Sequence, residues 1–238
     1  MLRKPEELTR EQLQKLIEFL KTLKSEERIC TFEKVLDQRT NYFTVLMENI
    51  DHPHNISAVL RSCDCFGVQN VNLVDDRAEY SVNRKVAMGS SKWLTLTKYT
   101  KHQNNKKKAL EDLKSKGYRL VVTTPNPGAV SIQDVDISKG PVAFVFGTEL
   151  TGVSPEASEM ADEYLTIPMF GFTESLNLSV SVAIILQTVT SKLRNSSIHW
   201  ELSDHEKELV MLNWLRKSTP RNEIIENRFF NQIENIDN

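Results

Sequence analysis

From residue 42 onward the chain keeps switching its hydrophobic period, and this switching constrains the fold more than any other feature. Short runs rich in β-branched and aromatic residues occupy positions 42–48, 71–74, 93–98, 120–124, 142–146 and 164–167. Between them lie stretches whose apolar residues recur at helical intervals. Strands joined through helices lie parallel, and the helices cover both faces of the sheet they leave. The expectation is an α/β fold built on a parallel sheet.

The intervening helices can be placed from their ends. Asn55 stands where a helix cap would, before an apolar face of Ile56, Val59, Leu60 and Cys63, and Gly67 stands where a helix ends. Arg61 points away from that face. After 164–167 come Pro168, a polar loop over 169–175 and a long apolar helix from about 176 to 193. Thr9 with Gln12, and Ser203 with Glu206, have capping-box spacing. The first precedes Leu13, Leu16, Ile17, Leu20 and Leu23; the second precedes Leu209, Leu212 and Leu215. The expected organisation is a helical extension over 1–40, an α/β core over 41–198 and a second helical extension over 199–238.

Composition excludes several classes. With 39% hydrophobic and 26% charged residues among 238, the chain has the make-up of a globular protein, not of a disordered or fibrous one. No run approaches a membrane span, and the first thirty residues carry both charge signs without an apolar core, so a cytoplasmic location is expected. Cys30, Cys63 and Cys65 form no CxxC pair and have no matching histidine cluster, so neither a disulfide framework nor a metal site is expected.

The net charge of -2 argues against a polyanionic partner, but it is unevenly spread. Residues 77–119 hold twelve basic and three acidic side chains, among them Arg77, Arg84, Lys85, Lys92, Lys98, Lys101, Lys106, Lys107 and Lys108. Such a stretch is either a solvated face or a grip on a phosphate backbone.

Common nucleotide signatures fail. No GxGxxG follows a strand, Val153 stands where a P-loop lysine must be after Gly147 to Gly152, and no GxSxG elbow is present. Three polar islands remain, each at the carboxyl end of a predicted strand or the helix start beyond it, where open α/β sheets build their sites. They are ENIDHPHNISAVLRSCDCFG (48–67), FVFGTELTGVS (144–154) and IPMFGFTESLNLSVSVA (167–183).

In order and spacing these islands resemble the three motifs of the SpoU/TrmH family of the SPOUT RNA methyltransferases. The resemblance covers about residues 41–198 and extends weakly to WLRKS at 214–218. It implies a SPOUT-type parallel sheet whose C-terminal part threads into a deep trefoil knot. It also implies a homodimer that binds S-adenosyl-L-methionine (AdoMet) in the knot loops and completes its active site between subunits. The implied reaction is 2′-O-methylation of a ribose in tRNA, closest to the members that act on the D-loop guanosine at position 18. Methylation of ribosomal RNA is the alternative within the chemistry. The ribosomal-RNA members commonly carry a separate domain ahead of the core, whereas about forty residues precede it here. A non-catalytic RNA-binding or assembly protein on the same scaffold is the alternative outside the chemistry.

The resemblance also assigns roles. Arg61 matches the motif arginine, read in the family as general base or its activator. A guanidinium stays protonated, so grip on a neighbouring phosphate and stabilisation of a developing alkoxide suit it better. Asn55 would orient Arg61 and the ribose, Glu149 would hold the arginine or substrate, and Ser175 and Asn177 would lie at the hydroxyl and methyl donor. Thr123, Gly147, Ile167 and Leu176 match the cofactor-binding positions. Apart from the resemblance, Asn55 and Ser175 can be helix caps, Glu149 a solvated loop carboxylate, and Ile167 and Leu176 core residues. Gly147 suits a backbone that closely approaches a ligand.

Overall fold

The structure, a computed structural model, describes residues 2–76, 89–100, 104–126, 128–148 and 150–236. In chain order its first elements are α1 (Arg10–Thr22), α2 (Glu26–Leu36), β1 (Thr40–Glu48), α3 (Pro53–Cys65), β2 (Val68–Val74), β3 (Thr95–Tyr99) and α4 (Asn105–Ser115). There follow β4 (Arg119–Thr123), β5 (Val130–Ser131), β6 (Val142–Phe146), α5 (Pro155–Met160), β7 (Glu163–Thr166), α6 (Leu178–Arg194), α7 (Asp204–Ser218) and α8 (Asn222–Ile236). They divide into two compact units, Thr40–Glu201 and the pair of segments Met1–Arg39 and Leu202–Asn238.

In the larger unit, seven strands among the described residues form one sheet in the order β3-β2-β1-β6-β4-β7-β5, with every named pairing parallel. The α/β reading and the six predicted strands are thereby met. Burial explains the composition of the strands. All five residues of β6 are buried, and Phe43, Phe144 and Phe146 are among the largest side chains wholly removed from water. Each such ring contributes about 1.5–3 kcal/mol relative to exposure. Polar side chains inside the sheet are paired. Asn72 Nδ2 donates to Thr44 Oγ1 at 3.0 Å, and that hydroxyl donates to the Asn70 carbonyl at 2.8 Å.

Strand order departs from chain order in a way that positions the site. From β1 the chain moves outward through β2 and β3, then returns, placing β6 directly beside β1 and β7 between β4 and β5. The carboxyl ends of β6, β4 and β7 are therefore neighbours.

In the smaller unit both predicted capping boxes form. Thr9 Oγ1 accepts from the Gln12 N–H at 3.2 Å while Gln12 Oε1 accepts from the Thr9 N–H at 3.0 Å. Ser203 and Glu206 repeat the exchange at 3.4 and 2.8 Å. Leu13, Leu16, Ile17 and Leu20 of α1 are buried, as are Val210, Met211, Leu212, Trp214 and Leu215 of α7. The apolar stripes of these two helices bury each other, which is why neither is left as an unsupported arm.

One ion pair in this unit is largely out of water. Arg216 Nε lies 2.9 Å from Glu226 Oε1 and Nη2 lies 2.7 Å from Oε2, with Glu226 2% exposed. Removing the carboxylate leaves a buried guanidinium without its counter-charge. Glu226→Ala is expected to cost about 3–5 kcal/mol in urea denaturation, and a loss below about 1 kcal/mol would show that water takes over the pairing.

Candidate active site

A cavity of about 670 Å³ opens over the carboxyl ends of β4, β6 and β7. Its walls include all four residues expected to hold a cofactor, Thr123, Gly147, Ile167 and Leu176, together with Ser175. Thr123 ends β4, and its hydroxyl donates to the Val145 carbonyl of β6 at 3.0 Å, which fixes the side chain across the strand pair. Ile167, just beyond β7, is partly buried and packs against the main hydrophobic core, so its core and pocket roles coincide.

The cavity also takes in residues that the sequence reading passed over, including Thr124, Asn126, Met169, Leu178, Ser181 and Ile185. The loop after β4 was legible in principle, because ligands gather at the carboxyl ends of strands where sheet order reverses. The helical residues carry no such signal, since their apolar character reads as core.

Gly147 is required for a different reason from the one its motif suggests. After β6 the backbone folds on itself, with Thr148 N–H donating to the Gly152 carbonyl at 2.9 Å and Gly152 N–H returning a bond to the Thr148 carbonyl at 3.0 Å. Thr148 Oγ1 accepts from the Thr151 N–H at 3.0 Å and closes the turn. A Cβ on Gly147 would stand 1.9 Å from the Gly152 oxygen. The close approach is between two parts of the same loop. Gly152 adopts φ 69°, the left-handed region. Glu149, the expected acidic residue of this loop, lies outside the described residues.

The first and third motifs meet through two asparagines. Asn177 Nδ2 donates to Asn55 Oδ1 at 3.3 Å. Asn177 is also the N-cap of α6, its Oδ1 accepting from the Ser179 N–H at 2.8 Å and the Ser179 hydroxyl at 2.6 Å. Two expectations are corrected here. Asn55 is not a helix cap, because Pro53 takes the first helical position and His52 precedes it, leaving Asn55 inside the first turn of α3. Ser175 is not the cap of α6 either, because the helix begins two residues later than the apolar pattern indicates.

Arg61 stands apart from the cavity. It is exposed on α3 and lines a groove with His54, Cys65, Ser179, Val180 and Ala183, no residue of which belongs to the cavity wall. Residues of α6 thus face two ways, Leu178, Ser181 and Ile185 to the cavity and Ser179, Val180 and Ala183 to the groove.

The basic stretch is partly neutralised. Lys106 pairs with Asp76 at 3.5 Å, Lys107 with Glu111 at 3.9 Å, Lys108 with Asp112 at 3.1 Å and Lys114 with Asp162 at 2.9 Å. Lys98 and Lys116 are exposed without an ion-pair partner among the described residues. Arg77, Arg84, Lys85 and Lys101 lie outside the described residues. Among the described residues no group of histidine, cysteine, aspartate or glutamate could hold a metal ion, and no helix is long and apolar enough to cross a membrane.

Comparison with known proteins places these features. The model of the SpoU rRNA methylase family matches residues 42–187. A tRNA (guanosine(18)-2′-O)-methyltransferase of Borreliella burgdorferi is 39% identical over 203 residues, covering 85% of this chain and 91% of the relative. The crystal structure of the Aquifex aeolicus TrmH/SpoU tRNA modifying enzyme is 30% identical, with a TM-score of 0.72 over 82% of this chain and 98% of that one. The SpoU methyltransferase AviRb of Streptomyces viridochromogenes, in complex with the cofactor AdoMet, is 21% identical and shares the fold with a TM-score of 0.55, over 68% of this chain and 65% of that one.

The loop geometry orders two substitutions. Gly147→Ala forces a backbone shift and is expected to cost about 3 kcal/mol, near the upper end for overpacking. Gly152→Ala meets open space and only the left-handed strain, about 1–2 kcal/mol. Urea denaturation of both variants checks the order, and a Gly147→Ala protein as stable as Gly152→Ala would contradict this loop conformation.

Proposed function

The chain belongs to the SpoU rRNA methylase family, and from that premise we propose that it transfers a methyl group from AdoMet to the 2′-hydroxyl of the D-loop guanosine at position 18 of tRNA, the substrate named for its relative. The observation that carries the reading is the meeting of Asn55 and Asn177, 122 residues apart in the chain, beside a cavity lined by the four expected cofactor residues.

The residues present fit AdoMet. The cavity falls within the roughly 300–1,000 Å³ of small-molecule sites. Ile167, Leu176 and Leu178 give apolar walls for an adenine, and residues of the loops after β4, β6 and β7 line the rest of the cavity. Bound there, AdoMet supplies a methyl group on a sulfonium for in-line displacement. The chain's part is to align the acceptor and manage the hydroxyl proton. Arg61 carries a permanent charge that grips the phosphate beside the target ribose and stabilises the developing alkoxide. Ser175 on the cavity wall and Asn177 next to it would lie at the hydroxyl and methyl donor, Asn55 accepts a hydrogen bond from Asn177, and Glu149 would hold the arginine or the substrate.

A homodimer belongs to the same reading. Arg61 and the cofactor cavity lie on different faces of one chain, so an arginine acting on the methyl acceptor is best supplied across a subunit interface. The exposed Leu150, Phe170 and Phe172 are apolar surface suited to burial there. The interleaved strands β4 to β7 thread as the trefoil knot of the family, residues 41–198 form the catalytic core between helical extensions over 1–40 and 199–238, and the enzyme works with its tRNA in the cytoplasm.

Incubation with labelled AdoMet and separate tRNA and ribosomal-RNA fractions, followed by mapping of the 2′-O-methyl ribose, tests the reading. Label confined to ribosomal RNA, or absent from every fraction, would overturn it. Arg61→Ala is expected to lower turnover by about 10²–10³-fold, the usual loss on removing one oxyanion-stabilising group, while AdoMet binding by calorimetry stays unchanged. Affinity for tRNA should fall as salt rises, through release of phosphate counterions; a flat titration would contradict backbone contact by the basic stretch.

A further inference from the structure

Glu48 closes β1 and is 2% exposed, yet it takes no part in the chemistry above. Its carboxylate is turned toward the end of the loop that follows β6. Oε2 accepts from the Ser154 N–H at 2.9 Å and Oε1 from the Ser154 hydroxyl at 3.0 Å. Ser154 Oγ in turn accepts from the Ala157 N–H at 3.2 Å and caps α5. Burial pushes the Glu48 carboxyl up from its ordinary range, opposed by the two Ser154 bonds and by Lys106, and reinforced by Glu156. An ionised group whose pKa is raised on folding subtracts stability above its unfolded pKa. What the carboxylate contributes must therefore be read from what it holds.

It holds a wall of the cofactor cavity. The loop from Gly147 to Ser154 leaves β6 at one end, and Gly147, Thr148, Leu150, Thr151, Gly152 and Val153 all line the cavity. Its upstream end is fixed by the sheet, and its downstream end is fixed by Ser154 on Glu48. The post itself is tied to its neighbouring strand. The next residue, Asn49, adopts φ 51° and its Oδ1 accepts from the Asp76 N–H at 2.9 Å, tying the end of β1 to the end of β2.

We propose that Glu48 is a positioning residue for the methyl-donor pocket, which sets the conformation of the Gly147–Ser154 loop through Ser154 and so governs affinity for AdoMet without touching either substrate. The inference rests on the AdoMet reading above. It makes hydrogen-bond geometry, not charge, the operative property. Glutamine can keep the first tie, its Oε1 accepting from the Ser154 N–H, and reverse the second, its Nε2 donating to Ser154 Oγ, whose hydroxyl proton then loses its acceptor. Methionine fills a similar volume and keeps neither.

Steady-state kinetics of the full chain, with AdoMet and tRNA varied separately, tests this. Glu48→Gln is expected to keep KM for AdoMet within about threefold of the parent enzyme, the loss of less than one full hydrogen bond. Glu48→Met should raise KM for AdoMet about tenfold, the effect of losing one or two buried hydrogen bonds, with kcat and KM for tRNA within about twofold. Ser154→Ala, which loses one tie, should move KM for AdoMet in the same direction by a smaller factor and carries the test should the methionine variant not fold. A parent enzyme without methyl transfer would sink the proposed function. An active parent whose Glu48→Met or Ser154→Ala variant keeps its KM for AdoMet overturns the role of Glu48 alone. So does a variant in which kcat and both KM values move together, which would make the residue merely structural.

Discussion

The structure depends above all on one constraint, that a parallel sheet whose central strands are buried on both faces opens to solvent there only at the strand ends. Once β6, β4 and β7 lie side by side, their following loops open at one edge of the sheet with no freedom to be elsewhere. The chemistry-bearing segments need no long reach or hinge to meet. Each is a few residues beyond a strand whose position is set by fully buried residues such as Phe144 and Val121. The return of the chain to place β6 against β1 also brings the first motif to the same edge, because the last residue of β1 begins it.

Given that frame, the loops are held by backbone more than by side-chain charge. The turn at Gly147 and Gly152 is closed by paired amides and carbonyls. The start of α6 is held by Asn177, whose carbonyl oxygen caps the helix while its amide reaches Asn55. That one side chain joins a local job, satisfying an orphan N–H, to a long-range one.

Much of this was legible in the sequence, and the exceptions share a cause. The six long strands, both capping boxes and the glycine at position 67, with φ 78°, follow from local period and local chemistry. The two-residue β5 does not, since two residues carry no period. Asn55 has the right chemistry for a cap, but a proline two residues earlier starts the helix first. The need for glycine at position 147 was visible, while its reason, contact with Gly152, depends on how the loop closes. Glu48 opens the first polar island, but its part in holding the loop gave no signal, because a carboxylate at the end of a strand looks solvated until Ser154 is placed against it.

The basic stretch shows the same limit in electrostatic form. Counting charges over 77–119 suggests a strongly attractive surface, but four of its described lysines face carboxylates, two of them within α4. An exposed pair is worth about 0.2–1 kcal/mol, so a phosphate can displace a carboxylate at small cost. Such pairs reduce the positive charge these four lysines present, and still allow a polyanion, which offers many phosphates at once, to compete for each of them. Loose pairing of this kind therefore lowers the net attraction of the stretch without preventing several of its lysines from meeting a phosphate backbone together.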